Sequence, residues 1–316
     1  MKLIIQIPCY NEEGTLAESL HDLPKTIDGI DAIEYQIIDD GSTDDTVGVA
    51  RANGVHRIIS MGHNTGLARA FMTGISDALQ NGADIIVNTD ADHPYSGKDI
   101  EKLVKPIIGG EADIVVGCRD HRKVKHFTML KRMLQIVGAW FVSKASGVKL
   151  PDVTSGFRAY SREAAMRINV LSSYSYTLES LIQAGRMNLS LKHIMVEPNP
   201  ELRPSRLYRN IFQYVARSAI TIMRITILYY PLRVFLFSGI ASFLLSFVLV
   251  GRYLYYYSLT KTVAHIPSLV LAGVLVILGI VLCVGGFLAD LIAANRMLLE
   301  NTLYYARRAL YGDKKQ

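Results

Sequence analysis

Two long uncharged apolar runs near the C-terminus constrain the fold more than any other feature of this sequence. Residues 234–251 and 266–289 contain no Asp, Glu, Lys or Arg, which gives stretches of 18 and 24 residues. A helix needs about 20 apolar residues to cross the hydrocarbon core of a bilayer. Because two such runs occur in tandem, we expect two transmembrane helices, rather than buried helices of a soluble domain, within residues 233–290.

The basic residues favour one orientation in the membrane. Residues 203–316 contain 13 Lys and Arg against 3 Asp and Glu, whereas residues 1–202 contain 21 against 25. Between the two apolar runs the only Lys and Arg residues are Arg252 and Lys261. Cytoplasmic loops carry an excess of Lys and Arg, so we expect a multi-pass protein of the cell (inner) membrane with both termini, and residues 1–202, in the cytoplasm.

Segments that flank the runs have the pattern of membrane-surface structure. Four tyrosines, at positions 253 and 255–257, follow the first run, and we expect them in a short outer hairpin at the level of the headgroups. Residues 203–232 precede it and predict interfacial amphipathic helices, because four arginines fall within about 80° on a helical wheel. These are Arg206, Arg209, Arg217 and Arg224. A connector helix with a solvated basic face is the alternative, and residues 291–316 are expected to form a cytoplasmic helix or tail.

The first 202 residues show a different pattern, in which short apolar strands alternate with amphipathic helices. The predicted strands are Leu3–Ile7, Tyr35–Ile38, His56–Ile59, Asp84–Asn88 and Asp113–Val116. The predicted helices are 13–23, one that begins near Asp44, 66–80 and 97–107. Repeated strand and helix units predict an α/β domain with a mostly parallel sheet, in which ligands bind at the carboxyl ends of the strands.

The predicted strand ends are unusually acidic. Glu12 and Glu13 follow the first strand, residues 39–45 after the second include four aspartates, and Asp90 and Asp92 follow the fourth. One acidic strand end can cap a helix, as Asp44 is expected to do, but three at one edge repel one another unless a cation lies among them. Asp90 and Asp92 would face the same side of a regular strand, which indicates a divalent metal held with substrate phosphates.

Several common sites for such a sheet are excluded. The turn after the first strand has no G-x-G-x-x-G, and its two glutamates would repel a dinucleotide pyrophosphate. The chain also has no Gly-Lys-Ser/Thr loop and no nucleophile elbow. Its three scattered cysteines, Cys9, Cys118 and Cys283, favour a reducing compartment and no zinc site. We expect no nucleic-acid partner.

Four motifs, in order and spacing, resemble glycosyltransferase family 2. They are Ile7-Pro8-Cys9-Tyr10-Asn11-Glu12-Glu13, Asp39-Asp40-Gly41-Ser42-Thr43-Asp44, Asn88-Thr89-Asp90-Ala91-Asp92 and Thr154-Ser155-Gly156-Phe157-Arg158. Within the family, the likeness is to the polyprenyl-phosphate glycosyltransferases, the group of dolichyl-phosphate mannose synthase and bactoprenol glucosyltransferase. The resemblance implies a GT-A fold, which is Rossmann-like, and a nucleotide-sugar donor.

The resemblance also implies a role for individual residues. Around the nucleoside it places Pro8, Tyr10, Glu12, Ile38 and Asp40, with Asp39 in support, and Asp90, Ala91 and Asp92 at the ribose, metal and diphosphate. The metal, Mg²⁺ or Mn²⁺, would be held by Asp90 and Asp92. Near the phosphates and the acceptor it places Arg119, Arg132, Asp152, Ser155, Arg203 and Arg206. The catalytic group among these is Asp92, Arg119, Arg132 and Asp152.

Two of these assignments have alternatives, and one position departs from the family pattern. Arg132 adjoins Lys131 and also fits a solvated helix face, and Asp152 also fits a cap of the turn after Pro151. Relatives often have Gln two residues after the second aspartate of the Asp-x-Asp motif, where this chain has Pro94. His93, water or phosphate oxygens would then complete the metal shell.

The implied function is inverting transfer of one sugar from a UDP- or GDP-sugar to polyprenyl (undecaprenyl or dolichyl) phosphate at the lipid bilayer. The alternatives are a glycolipid synthase that uses a lipid alcohol such as diacylglycerol, with Asp152 as the base, and a non-catalytic membrane scaffold. A processive polysaccharide synthase is disfavoured, because the chain lacks Gln-x-x-Arg-Trp. Glycines 273, 279, 285 and 286 would permit homo-oligomers through close packing of transmembrane helices.

Overall fold

The computed structural model describes residues 1–119, 143, 150–170, 176–197, 199, 220, 223–224, 226–261 and 266–312. The chain divides into two units: Met1–Ser218 with Thr302–Gln316, and Ala219–Asn301. This division differs from the predicted boundaries 1–202, 203–232, 233–290 and 291–316. Of the C-terminal segment, residues 291–301 belong to the second unit and residues 302–316 to the first.

The described part of the first unit is built on a seven-stranded sheet. The strands are β1 (Lys2–Cys9), β2 (Ala32–Asp39), β3 (Arg57–Ser60), β4 (Ile85–Asn88), β5 (Ile114–Arg119), β6 (Arg158–Ser161) and β7 (Leu191–Val196). Their order is β3-β2-β1-β4-β6-β5-β7. Strand β6 is antiparallel to its neighbours β4 and β5, and the other pairs are parallel. The predicted mostly parallel α/β sheet is therefore confirmed.

Helices cover both faces of this sheet and supply the rest of the core. Those of the first unit are α1 (Leu16–His21), α2 (Thr46–Ala52), α3 (Leu67–Gln80), α4 (Asp99–Ile108), α5 (Arg162–Arg167) and α6 (Tyr176–Arg186). Strand β1 is buried at seven of its eight positions. A strand buried on both faces is nearly all apolar and does not alternate, which explains why the run Leu3–Ile7 marks the centre of the sheet.

The sequence patterns identified some elements and missed others. Strands β1 to β5 and helices α1 to α4 lie where alternating apolar segments predicted them, with ends that differ by a few residues. Strand β6, helices α5 and α6 and strand β7 were not predicted. Strand β6 is only four residues long and fully buried over its first three, so it has neither the length nor the alternation that sequence analysis detects.

The end of the long C-terminal helix packs on α5 within the first unit. The Tyr304 hydroxyl donates to Glu163 Oε1 at 2.8 Å, and the Arg167 guanidinium lies 4.6 Å from the Tyr304 ring centroid. Arg307 donates to the carbonyl oxygen of Ile168 at 2.8 Å. A cation near the carboxyl end of a helix stabilises its unpaired carbonyls. Residues 302–311 are therefore an integral part of the first unit.

The second unit contains the two apolar helices. Helix α7 is Pro231–Thr260, and helix α8 is Ile266–Tyr311, which continues into the first unit. Both have windows with a mean hydropathy of 2.3 and 2.9 and are mostly exposed, so they are candidate membrane spans. The prediction of a Tyr-rich hairpin is wrong, because the four tyrosines at 253 and 255–257 lie on α7, which ends at Thr260.

Small residues bring α7 and α8 into close contact. Ser242 Oγ donates to the carbonyl oxygen of Leu275, and Ser246 Oγ to that of Ala272, each at 2.8 Å. A Cβ atom at Gly279 would lie 2.8 Å from the Phe243 ring, and one at Gly286 would lie 2.8 Å from Phe235 Cβ. Two of the four glycines predicted to support oligomers therefore pack within the chain. A Cβ atom at Gly273 or at Gly285 meets no described atom within 4 Å.

We expect Gly279→Ala to destabilise the second unit and Gly273→Ala to leave it as stable or slightly more stable. The first change forces a methyl group into the Phe243 ring, and overpacking of this kind costs about 1–3 kcal/mol. The second adds a better helix former where space is open. Thermal unfolding of the detergent-solubilised full-length protein checks both. Equal effects of the two substitutions would contradict the packing described above.

Candidate active site

The carboxyl ends of three adjacent parallel strands form one edge of the sheet. Strand β1 lies between β2 and β4, with Cys9 beside Asp39 and Gln6 beside Asn88. The loops that follow these strands are therefore neighbours, and they carry all the acidic strand ends predicted from the sequence. Cys9 is buried at this edge, and burial raises its pKa, so it is a neutral thiol and not a nucleophile.

The loops after β1 and β2 are fastened to each other. Asn11 has a left-handed φ of 56°, and its Oδ1 accepts a hydrogen bond from the Thr43 backbone N–H at 2.8 Å. Glu12 N donates to Thr46 Oγ1, also at 2.8 Å. Of the residues predicted to frame the nucleobase here, Pro8 is buried within β1, whereas Tyr10 is 43% exposed and presents its ring to solvent.

The aspartates after β2 have a structural role in this geometry. Asp40 Oδ1 accepts from the Thr65 N–H at 2.7 Å, and its Oδ2 accepts from the Gly66 N–H at 2.9 Å. Asp40 is 4% exposed, so its carboxylate holds the segment before α3 and does not face solvent. Asp39 Oδ1 accepts from the Ser42 N–H at 2.9 Å, which fixes the turn that follows β2. The role of Asp39 in supporting contacts with the nucleoside stays a prediction.

Ile38 was predicted to contact the nucleobase or ribose, but its side chain is directed toward helix α3. It is fully buried in β2, and its Cδ1 lies 2.7 Å from the position of a Cβ atom at Gly74 of α3. The side chain therefore packs between the sheet and α3. Any contact of Ile38 with a ligand has to use its backbone.

The Asp-x-Asp motif lies in a turn and not on a strand. Strand β4 ends at Asn88, and the next residues form a loop in which Asp90 is half-buried, Ala91 is buried and Asp92 is exposed. The argument that a strand places both aspartates on one side therefore does not apply. The Ala91 carbonyl oxygen accepts from Ser19 Oγ at 2.7 Å, which fastens the turn to α1.

The environment of Asp90 in this turn opposes the ionisation of its carboxyl group. Desolvation of Asp90, followed by the charge of Asp92, raises the pKa of Asp90 to about 7. Among the described residues, no group of three His, Cys, Asp or Glu could enclose a metal ion. Two carboxylates without further protein ligands suit Mg²⁺ or Mn²⁺ bound jointly with phosphate oxygens, so the residues present fit such an ion.

His93, considered as a replacement metal ligand, is directed elsewhere. It has a left-handed φ of 57°, and its Nε2 lies 2.9 Å from Asn199 Nδ2 and 3.9 Å from Asp22 Oδ2. Asn199 N also donates to the carbonyl oxygen of Pro94 at 3.1 Å. His93 and Pro94 thus join the Asp-x-Asp loop to the segment after β7.

A series of buried hydrogen bonds positions the groups that surround Asp90. Gln6 Nε2 donates to Asn88 Oδ1 at 2.9 Å, and Asn88 Nδ2 donates to the Gly156 carbonyl oxygen at 2.9 Å and to the Tyr176 hydroxyl at 2.7 Å. A Cβ atom at Gly156 would lie 2.7 Å from both Asp90 Oδ1 and the Tyr176 hydroxyl. The absence of a side chain at Gly156 is what lets Asp90 occupy this position.

Arg119, which is partly exposed, forms an ion pair with the buried Asp152 beside this loop. Arg119 is the last residue of β5, and its Nε donates to Asp152 Oδ2 at 2.9 Å. The other oxygen, Asp152 Oδ1, accepts from Thr154 N at 3.1 Å and Oγ1 at 2.8 Å. Desolvation opposes the charge of Arg119, but Tyr95 and Asp152 outweigh it and raise its pKa above the ordinary value. The guanidinium is therefore permanently charged.

Two residues of the fourth motif are structural rather than exposed to a ligand. Ser155, predicted to bind substrate, is fully buried, and its Oγ donates to the Tyr95 hydroxyl at 3.3 Å. Arg158 is also fully buried, and no role was predicted for it from its motif. It donates to the carbonyl oxygens of Ser155, Val153 and Thr177. Arg158 therefore holds the turn that carries Asp152 and Ser155 against α6.

Comparison with known proteins shows the family. A family model described as glycosyl transferase family 2 matches residues 4–168, more than half of the chain. The chain belongs to glycosyl transferase family 2. As a family 2 glycosyltransferase it is an enzyme, which argues against the alternative of a non-catalytic scaffold.

Curated relatives of this glycosyltransferase match about three fifths of its length. An uncharacterized protein of Methanocaldococcus jannaschii is 34% identical, over 62% of this chain and 81% of the relative. The UDP-N-acetylglucosamine–dolichyl-phosphate N-acetylglucosaminyltransferase of Methanococcus voltae is 29% identical over 60% and 83%. The undecaprenyl-phosphate mannosyltransferase of Micrococcus luteus is 24% identical over 62% and 83%.

Solved structures show the fold. Glucosyl-3-phosphoglycerate synthase from Mycobacterium tuberculosis, in complex with Mn²⁺, UDP and glucosyl-3-phosphoglycerate, matches with a TM-score of 0.55 at 21% identity. The match covers 72% of this chain and 78% of that one. The same protein in complex with Mg²⁺ and UDP gives a TM-score of 0.53. The GT-A fold of this glycosyltransferase is thereby confirmed.

Three predicted site residues of the glycosyltransferase, Arg132, Arg203 and Arg206, lie outside the described residues. The same holds for Arg209 and Arg217 of the predicted interfacial helix. Of the predicted site residues that the structure describes, the sheet edge brings together Tyr10, Glu12, Asp39, Asp90 and Asp92. The charge of Arg119, which is paired with Asp152, also acts on Asp90. This edge combines acidic groups that would hold a divalent ion with the fixed cation Arg119, and the positive charges of both would suit a nucleoside diphosphate.

Proposed function

We propose that this glycosyltransferase is a membrane-bound, inverting enzyme that transfers one sugar from a UDP- or GDP-sugar to polyprenyl phosphate. The names of two relatives support this proposal, because each states a lipid-linked phosphate as the acceptor. The candidate membrane spans α7 and α8 support a lipid acceptor of this kind. A phosphate monoester is mostly dianionic near neutral pH, since its second pKa is about 6.

The observation that carries the choice of acceptor is the environment of Asp152. An alcohol acceptor such as diacylglycerol needs a base to remove its proton, and Asp152 is the candidate that the sequence offers. Its carboxylate is 2% exposed, one oxygen is paired with Arg119, and the other accepts two hydrogen bonds from Thr154. An opposite charge and hydrogen bonds to its oxygens favour the charged form of a carboxylate, and they occupy the atoms that would have to accept the proton. An acceptor that arrives already ionised does not need a base.

Catalysis then depends on charge and positioning. When bound, the divalent ion would neutralise charge on the nucleoside diphosphate that leaves the sugar. Asp90 and Asp92 would hold it, and Arg119, fixed by Asp152, would contact the phosphates. The acceptor oxygen attacks the anomeric carbon as the bond to the diphosphate breaks. Preorganised charges of this kind stabilise a transition state without reorganisation.

The membrane arrangement is part of the same proposal. Both termini and the first unit face the cytoplasm, because Lys and Arg are concentrated outside the loop between α7 and α8. Arg224 and the other arginines of residues 203–232 would bind lipid phosphates at the surface. The enzyme would thus take a cytosolic donor and a lipid acceptor held in the inner membrane.

An acceptor panel tests the proposal. Full-length protein in Mn²⁺ is given radiolabelled UDP- and GDP-sugars with polyprenyl phosphate, with the matched polyprenol that lacks the phosphate, or with diacylglycerol. We expect label to become lipid-linked with polyprenyl phosphate and the two alcohols to give at least about 100-fold less, the rate that base catalysis commonly supplies. Transfer to diacylglycerol at a comparable rate would overturn the proposal in favour of a glycolipid synthase.

A further inference from the structure

Tyr95 connects three segments of the site, and neither the sequence motifs nor the mechanism above uses it. It follows Asp92 by three residues in the loop after β4 and is 4% exposed. Its ring stacks on Phe157 with centroids 4.7 Å apart and an interplanar angle of 9°. The Arg119 guanidinium carbon lies 5.5 Å from the centroid of the same ring. Tyr95 therefore contacts the end of β5 and the segment before β6.

Arg119 is restrained from two directions. Asp152 accepts its Nε–H, which fixes the side chain within the plane of the guanidinium. The face of the Tyr95 ring lies against the guanidinium and restricts rotation of the guanidinium out of its present plane. Within the described part of the chain the terminal Nη atoms have no hydrogen-bond partner, and the side chain is 29% exposed. The terminal N–H groups therefore lie on the partly exposed end of a side chain whose orientation is fixed.

The two restraints suit a phosphate ligand. A planar guanidinium binds phosphate through two parallel N–H groups, so its orientation decides whether both can be used. An aromatic ring binds arginine more often than lysine, because the flat face of the guanidinium can stack on the ring. Tyr95 shares its loop with Asp90 and Asp92, so a shift of the metal-binding turn would carry the ring, and with it Arg119, in the same direction.

We propose that Tyr95 is a positioning residue that sets the orientation of Arg119 relative to the Asp-x-Asp loop, and thereby the affinity for the nucleoside diphosphate. The inference rests on one part of the proposed function, namely that the donor is a nucleoside diphosphate sugar. Tyr95 acts through its aromatic ring, whose face contacts the Arg119 guanidinium. The hydroxyl contributes one long hydrogen bond to Ser155.

Binding of UDP and of GDP to the full-length protein in Mn²⁺, without any acceptor lipid, tests this proposal by calorimetry. We expect Tyr95→Met, which keeps an apolar side chain of similar length, to weaken nucleotide binding about 10-fold. Tyr95→Phe is the matched control, and we expect its affinity to stay within about threefold of wild type. An incorrect choice of acceptor would not alter either result.

A double variant separates positioning from a general effect on folding. Arg119→Lys keeps the charge and Tyr95 but removes the flat face, so it should weaken nucleotide binding about as much as Tyr95→Met does. If Tyr95 acts through Arg119, adding Tyr95→Met to Arg119→Lys causes little further loss. Losses that multiply, or equal effects of Tyr95→Phe and Tyr95→Met, would overturn the proposal. Because Arg119→Lys leaves the stack on Phe157 intact, its single effect remains interpretable even if Tyr95→Met lowers thermal stability.

Discussion

Replacement of Gly156 by Ala should lower the rate of sugar transfer at least about 100-fold, the loss that misplacement of a catalytic group by 1 Å can cause. The new methyl carbon would lie 2.7 Å from Asp90 Oδ1 and 2.7 Å from the Tyr176 hydroxyl. Of these two groups, Tyr176 cannot yield easily. Tyr176 is fully buried and stacks on Phe71 with centroids 4.0 Å apart. Asp90 is therefore expected to move, and the metal-binding turn with it.

The control for this prediction is Gly14→Ala, at the same edge of the sheet. A Cβ atom at Gly14 meets no described atom within 4 Å, and neither Gly14 nor Gly156 has a positive φ. Backbone strain is thus absent from both comparisons, and the collision is the difference between them. Initial rates with saturating donor, together with thermal unfolding, decide the outcome. Normal transfer by a folded Gly156→Ala protein would show that Asp90 does not need its present position.

A second substitution shows which collision matters. Tyr176→Phe removes the hydroxyl and leaves the stack on Phe71 in place. If the contact with Tyr176 were responsible, the pair Gly156→Ala and Tyr176→Phe would restore transfer. We expect restoration of at most about threefold, because the contact with the Asp90 carboxylate remains.

The strand ends show which parts of the site could be predicted from sequence. Asp90, Asp92 and Arg119 were assigned correctly to strand ends, because strands β4 and β5 are short, apolar and bounded by polar residues. The direction of side chains was harder to predict. Ile38 and Asp40 are adjacent in the chain, yet one packs against α3 and the other binds the Thr65 and Gly66 amides. Such details depend on loops that approach from distant positions.

Residues that support the site from within the core gave no usable signal. Arg158 occurs in a recognised motif, but an arginine in a sequence is ordinarily read as exposed. In the structure it is fully buried and satisfied by backbone oxygens from two segments, an environment that only the tertiary fold creates. Tyr95 and Tyr176 likewise resemble ordinary core aromatics until their partners, Arg119 and Asn88, are known.

The packing of the C-terminal segment could not be predicted for a different reason. Residues 291–316 were expected to form a helix or tail, and their composition does not indicate which surface they contact. The structure continues the helix to Tyr311 and packs Tyr304 and Arg307 against α5. Hydrophobic patterning detects faces that need burial, whereas this contact is made by hydrogen bonds and by one cation over a ring.

Asp92→Asn should abolish measurable transfer, a loss of at least about 100-fold to 1,000-fold for removal of one preorganised electrostatic group. Asp92 is exposed in its turn, so an isosteric amide should leave the fold intact. The amide lacks the charge that binds a divalent ion, and the second carboxylate, Asp90, cannot enclose one alone. Transfer and Mn²⁺ binding should therefore be lost together, while thermal unfolding without metal remains as in wild type.

The matched control is Asp45→Asn, which removes the same charge from an exposed aspartate at the same edge of the sheet. Asp45 precedes α2, and its side chain makes no capping hydrogen bond there. A general effect of lowering the negative charge at this edge would weaken both variants alike, whereas a metal site at the Asp-x-Asp turn affects only Asp92→Asn. Titration of activity with Mg²⁺ and Mn²⁺ separates the two cases. Undiminished turnover by the Asp92→Asn protein would refute the assignment of Asp92 as a ligand of the metal ion.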